Sequence, residues 1–260
     1  QWTLPTPNAT PYDLAFDTAG NLWFTEFGAS QIGEFKPATQ QFVETPTPTA
    51  QSSPYGIVGP DATGFMWFTE NNSAVAQIAR FTPPPTGTLA TNNIAEYQTK
   101  NKFNSTPHLI AIDKQGNIWW TEGFDNAIGS LAVKQAVPGT SNGVTEYAVP
   151  RPTCTSGPSC STHLSGIAVD SQGIIWFDDS LSSRIVSLNP STGTFSTIVV
   201  GGGLTSGSHP HDGFVIDKSD NVWFGEEFAN KLGEVIQWGC RADQSGPLFW
   251  RVTCKRPLSS

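Results

Sequence analysis

Charge is scarce in this 260-residue chain: Asp, Glu, Lys and Arg make up 14% of it, and Lys and Arg form no cluster. With a net charge of −8, it lacks the concentrated positive patch that a nucleic-acid backbone or an anionic membrane surface requires. Neither is an expected partner. No apolar run approaches the roughly 18 to 20 residues that cross a bilayer as a helix. No nucleophile motif in the strand-turn-helix setting of an elbow supports a serine hydrolase.

Cysteine is sparse as well. The four cysteines fall into two close pairs, Cys154 with Cys160 and Cys240 with Cys254, and no histidine stands at zinc-finger spacing from them. Two local disulfides are the reading, and they imply an oxidising compartment. The sequons at Asn8, Asn71 and Asn104 fit a glycosylated secreted protein, as does a chain that starts at Gln1 without a leader segment. Secretion as a monomer is the expectation.

Glycine and proline are plentiful, and the turns they mark are periodic. Five copies of one pattern occur: DLAFDTAGNLWFTE, GIVGPDATGFMWFTE, LIAIDKQGNIWWTE, GIAVDSQGIIWFDD and GFVIDKSDNVWFGEE. Each reads as an apolar strand, a turn built on Asp, Gly or Asn, and an aromatic strand centred on Trp23, Trp67, Trp119, Trp176 or Trp223. A third strand follows each hairpin (QIGEFKP, AQIARFTP, AIGSLAV, RIVSLNP, KLGEVIQW), and a fourth follows most of them.

Four-stranded antiparallel sheets recurring at Trp spacings of 44, 52, 57 and 47 residues are the blades of an all-β propeller. Five blades are expected over residues 1–238 as one domain, with a sixth, degenerate blade around PLFWRVT as the alternative count. The fifth blade has no evident fourth strand, and the opening QWTLPTP resembles the fourth-strand sequence FVETPTP. The N-terminal strand is therefore expected to complete the last blade and close the ring. Residues 239–260 would be a disulfide-stapled appendage.

What recurs in every blade serves the fold, and what departs from the pattern is a candidate for function. The Trp residues recur, so packing between sheets explains them, with Trp120 the one Trp in a Phe position. The acidic residue three places after each Trp (Glu26, Glu70, Glu122, Asp179, Glu226) recurs too, and its expected role is to accept backbone hydrogen bonds. A hairpin places these carboxylates at the same end of the blade as the start of strand one. There stand Tyr12, Tyr55, His108, Ser165 and Asp212, with His163, His209 and His211 close by.

All four histidines thus belong to one end of the blades, opposite carboxylates. Imidazole and carboxylate together can hold a divalent cation or move protons. The densest set is in the fifth blade, where His209 and His211 precede strand one and Glu227 is a surplus carboxylate beyond Glu226.

The repeat PxxIAxDxxGNxWFTExxxxxIGxxxP resembles the virginiamycin B lyase, or streptogramin lyase, family of β-propellers, over about residues 1–238. The resemblance implies a seven-bladed relative that opens a cyclic depsipeptide antibiotic by elimination at its ester linkage, using a magnesium ion and a histidine. It assigns His211 and His108, each after a proline, to the catalytic position, and Glu227 to the metal. His209 stands where the family has its second metal-binding glutamate, so the ion's identity is open. His211 is also one position out of register with His108 when both are counted back from Asp217 and Asp113.

Two functions follow as expectations. One is a metal-assisted C–O lyase acting by elimination at an ester or glycosidic linkage of a small-molecule or carbohydrate ligand. The other is a non-catalytic secreted propeller that recognises carbohydrate or a partner protein.

Overall fold

The computed structural model describes residues 1–101, 105–152, 161–198 and 204–236, together with the backbone of 249–253. Both expected disulfides, Cys154 with Cys160 and Cys240 with Cys254, lie outside the described residues, and so does the sequon asparagine Asn104. Among the described residues no helix is long and apolar enough to cross a membrane.

The strands form five four-stranded sheets. The first is β1 (Pro11–Phe16), β2 (Leu22–Glu26), β3 (Gln31–Lys36) and β4 (Gln41–Pro46). The second is β5 (Pro54–Val58), β6 (Met66–Glu70), β7 (Gln77–Phe81) and β8 (Ala95–Gln98). The third is β9 (Pro107–Ile112), β10 (Ile118–Glu122), β11 (Ala127–Leu131) and β12 (Val144–Ala148). The fourth is β13 (Leu164–Val169), β14 (Ile175–Asp179), β15 (Arg184–Asn189) and β16 (Thr194–Ile198). The fifth is β17 (Pro210–Ile216), β18 (Val222–Glu226), β19 (Lys231–Ile236) and β20 (Phe249–Thr253).

Sequential strand order in each sheet, antiparallel except at β20, and first strands that neighbour one another within each compact unit fit a β-propeller fold. The chain divides into two compact units, Gln1–Tyr147 and Ala148–Ser260.

The repeated motif has a physical explanation in every blade. The turn aspartate, six residues before each Trp, accepts the indole N–H: Trp23 donates to Asp17 at 2.9 Å, Trp67 to Asp61 at 2.8 Å and Trp119 to Asp113 at 2.9 Å. Trp176 donates to Asp170 at 3.1 Å and Trp223 to Asp217 at 3.0 Å. The other oxygen of each Asp takes the backbone N–H groups two and four residues on, as Asp17 does from Ala19 and Asn21. One side chain thus closes the hairpin turn and pegs the tryptophan, so a buried indole N–H is never left unpaired.

The pegged tryptophans form the core between sheets. Trp23 packs with Met66, Phe68 and Phe81, Trp67 with Ile110, Ile118 and Trp120, and Trp176 with Phe214, Val222 and Phe224. The glycine of strand three is required by the aromatic of strand two: a Cβ at Gly33 would collide with the Phe24 ring, and one at Gly129 with the Trp120 indole.

Both ends of the chain depart from the sequence expectation. Residues 1–10 form no strand and do not complete the fifth sheet. Trp2 instead packs on Phe35 with ring centroids 4.8 Å apart, and Thr6 donates its N–H and hydroxyl to Glu44 at 3.1 and 2.6 Å. When Pro11 is laid on Pro54, Thr6 falls on Thr49, which makes the same pair of bonds to Glu96 at 2.8 and 2.7 Å. QWTLPTP therefore matches the segment that leaves a fourth strand, not the strand itself.

The outer position of the fifth sheet is filled by β20, parallel to β19. A parallel return needs a crossover of about a dozen residues, and residues 237–248 separate the two strands. Phe249–Thr253 accordingly belongs to the fifth sheet, neither to a sixth blade nor to an appendage.

Candidate functional site in the fifth blade

The start of strand one lies opposite the end of strand two in each blade: Pro11 pairs with Glu26, Pro54 with Glu70, Pro107 with Glu122, Leu164 with Asp179 and Pro210 with Glu226. Counted from this partner, His211 occupies the same position as Tyr12, Tyr55, His108 and Ser165. The apparent slip of His211 has a local cause. In the other blades the next regular pair comes three residues later, as Leu14 with Phe24 does, whereas in β17 it comes four residues later, Phe214 with Phe224. The extra residue is absorbed in a wider bulge, and Asp212 sits there with φ 54°.

His209, also left-handed at φ 49°, leads into this bulge. Its Nε2 lies 3.9 Å from Glu227 Oε2, and its ring stacks on Phe228 at 4.4 Å with the planes 5° apart. Glu227 and Phe228 form the short turn after β18, and the Phe228 N–H donates to the Ser208 carbonyl at 3.1 Å. The stack continues from His209 to His211 at 5.2 Å and from His211 to His163 at 5.4 Å. Donor atoms of His209, His211 and Glu227 all lie within 4.8 Å of one another, so three residues singled out in the sequence converge.

His163 and Asp212 complete the surroundings. His163 is buried, its Nδ1 is 3.1 Å from the Ser180 hydroxyl, and its backbone N–H donates to Asp179 at 3.0 Å. Asp212 Oδ2 is 3.3 Å from His211 Nδ1, and the Ser165 hydroxyl donates to the other Asp212 oxygen. Behind them Asp178 is fully buried; burial and then the Asp212 carboxylate hold its carboxyl well above the usual range.

His108 sits in the other compact unit. Its ring stacks on Tyr55 at 3.9 Å, Tyr55 stacks on Tyr12 at 3.7 Å, and its Nδ1 meets the Asn71 amide at 3.2 Å. At 7% exposure it is far less accessible than the His211 side chain at 24%. Asn71 Nδ2, the atom a glycan would occupy, donates to the Pro107 carbonyl at 2.8 Å, while Asn8 is exposed.

Among the described residues, the expected backbone bonds to the strand-end carboxyls are found at Asp179, from His163, and at Glu226, from Thr205, but not at Glu26 or Glu70. Burial, and then the neighbouring Glu44, raise Glu26 to about 8. Burial and then Glu146 raise Glu122 to about 8, and burial with Glu96 raises Glu70 well above the carboxylate range. Trp120 has a polar task as well, donating its indole N–H to Glu122 at 3.0 Å.

The magnesium implied by the resemblance meets one imidazole, His209, beside one carboxylate, Glu227. Magnesium takes oxygen ligands in a strict octahedron, while imidazole nitrogen suits first-row transition metals. His209 and Glu227 therefore suit a nitrogen-accepting divalent cation better than magnesium, with His211 beside them.

Solved structures agree with this architecture. Virginiamycin B lyase from Staphylococcus aureus superimposes with a TM-score of 0.71 at 29% identity, covering 90% of this chain and 69% of that one. A catalytically inactive variant of the same lyase, solved with quinupristin, matches with a TM-score of 0.71 at 28% identity over 91% of this chain and 70% of that one. A streptogramin B lyase gives 0.72 at 26% identity over 96% of this chain and 75% of that one. A comparison with curated protein sequences finds no match. The model of the virginiamycin B lyase family matches residues 1–243, and this chain belongs to that family.

Proposed function

We propose that the protein is a C–O lyase that opens an ester-linked cyclic substrate by elimination, with the fifth-blade cluster as its reacting centre. The observation that carries this reading is the convergence of His209, His211 and Glu227 on one point. His211 is the general base. Its ring takes a proton from the carbon next to a substrate carbonyl, the C–O bond on the neighbouring carbon breaks with its electrons going to the departing carboxylate, and a C=C bond remains. His209 and Glu227 would hold a divalent cation, which supplies a Lewis acid for the substrate carbonyl. Phe228, 71% exposed, and Leu181, 50% exposed, offer apolar surface on the turns that follow β18 and β14.

Quinupristin is the first substrate to test, since a relative was solved with it. Elimination opens the ring without changing its mass and creates an ultraviolet-absorbing double bond, whereas hydrolysis adds a water. Ring-opened product of unchanged mass, lost in His211→Ala, is the expected result. Binding without turnover would instead support a recognition module, a reading that the exposed Phe228 and Leu181 also favour. The cation is tested apart from activity: titration calorimetry is expected to give tighter binding of nickel or zinc than of magnesium, and His209→Glu to narrow that gap by about tenfold, or about 1.4 kcal/mol.

A further inference from the structure

The bulge in β17 adds one residue to the strand-one start found in every other blade, and that residue is a carboxylate beside the histidine. Asp212 Oδ2 stands 3.3 Å from His211 Nδ1. Its other oxygen receives the Ser165 hydroxyl, and its own backbone N–H donates back to Ser165 Oγ at 3.2 Å. Ser165 belongs to β13 in the fourth blade and is fully buried, so the carboxylate is gripped from the neighbouring sheet.

We propose that Asp212, anchored by Ser165, is a positioning residue that keeps the proton of neutral His211 on Nδ1 and leaves Nε2 as the basic nitrogen. This rests on the reading of His211 as the base. The chemistry needs such a partner because a neutral imidazole carries its proton on one nitrogen or the other, and only the bare one can accept a proton from substrate. A carboxylate near one nitrogen selects the tautomer and fixes the ring plane, as in dyads that orient a general base.

The ring has a second constraint of the same sense. His211 lies between His209 and His163 in a stack whose neighbouring planes are within 21° of parallel. The stack restricts tilt while Asp212 restricts rotation about the ring axis. His108, at the equivalent strand position, has an amide at its Nδ1 instead: Asn71 Nδ2 at 3.2 Å. An amide N–H favours a bare Nδ1, so the two equivalent histidines are set in opposite tautomers, and only His211 presents a bare Nε2.

The test reads the tautomer directly, by long-range 15N–1H correlation on 15N-histidine-labelled full-length protein at a pH where His211 is neutral. Wild-type His211 is expected to be protonated on Nδ1. Asp212→Ala is expected to move it to the Nε2–H form that free imidazole side chains prefer, and to lower kcat on quinupristin about 100-fold with KM changed less than about threefold. Ser165→Ala, which loosens the carboxylate without removing it, is expected to lower kcat about tenfold.

An unchanged His211 tautomer in Asp212→Ala overturns the proposal, as does an unchanged kcat. If the alanine variant does not fold, the same spectrum on Ser165→Ala decides. Absence of quinupristin turnover by the wild type would defeat the lyase reading alone, since the tautomer measurement judges the Asp212 contact without substrate.

Discussion

The two compact units solve one problem in opposite ways. Each blade buries an acidic residue at the end of its second strand, and burying a carboxylate alone is costly. In Gln1–Tyr147 the neighbour is a second carboxyl from the fourth strand: Glu44 beside Glu26, Glu96 beside Glu70, Glu146 beside Glu122. Among the described residues neither Glu26 oxygen receives a donor, so the pair is accommodated by a proton held on one member.

In Ala148–Ser260 the residue opposite the acid is basic. Arg184 Nε lies 2.8 Å from Asp179, while Lys231, the strand partner of Glu226, donates to the Thr205 hydroxyl at 2.9 Å and the Thr205 N–H donates to Glu226. The positions opposite the acids of the first unit are Gln31, Gln77 and Ala127. In the fourth blade, the residue at the start of strand three thus supplies a cation to the buried acid where the first unit has Gln or Ala.

This contrast can be broken hardest at Arg184, which is 2% exposed. Arg184→Met strands Asp179 in the core and is expected to cost about 3–5 kcal/mol by urea denaturation. Gln77→Met, at the matching position of the first unit, should cost far less, because no charge loses its partner.

Next in size is a pH effect at the strand-end acids of the first unit. Glu26 and Glu122 have folded values of about 8 against a reference of 4.5, so the folded state holds more protons between those limits. Stability is therefore greatest below about 4.5 for this contribution and is lost progressively as pH rises to about 8. Urea midpoints followed from about pH 5 to about pH 8.5 should fall, and Glu26→Gln should flatten the fall by up to one proton's slope.

A control sharpens the comparison by removing a feature that both units share. Asp113→Ala and Asp170→Ala each release an indole N–H and two turn N–H groups, and each is expected to cost about 1–3 kcal/mol, equally in the two units. The smallest change is at the ring stacks. Phe228→Ala removes the 4.4 Å stack on His209 and should cost about 0.5–1.5 kcal/mol, read as a small shift in thermal midpoint.

The blades were legible in the sequence because Trp and turn Asp recur at fixed offsets and are joined by short-range contacts. Asp113 and Trp119 are six residues apart, well within one motif. What escaped reading depends on long separations. Nothing near Glu26 in sequence points to Glu44, and nothing near Thr6 points to its bonds with Glu44. The N-terminal segment was matched to the wrong part of a blade because the Thr-Pro sequence repeats within FVETPTPT itself.

Of the site, His209, His211 and Glu227 were legible as departures from the repeat. His163 was legible only as a histidine near the start of a first strand, and Phe228 was not legible at all, since stacking on a histidine leaves no mark in spacing. The slip of His211 was visible, but its cause was not: counting from the turn hides a bulge that counting from the strand partner reveals.

That bulge also bears on how such a face changes over generations. Adding one codon inside a regular strand would flip every following side chain to the other surface. In β17 the pairs on both sides, Pro210 with Glu226 and Phe214 with Phe224, remain in register around the added residue. The strand entry is therefore a place where the gene can lengthen without refolding the blade, and new chemistry at the rim can arise by insertion as readily as by replacement.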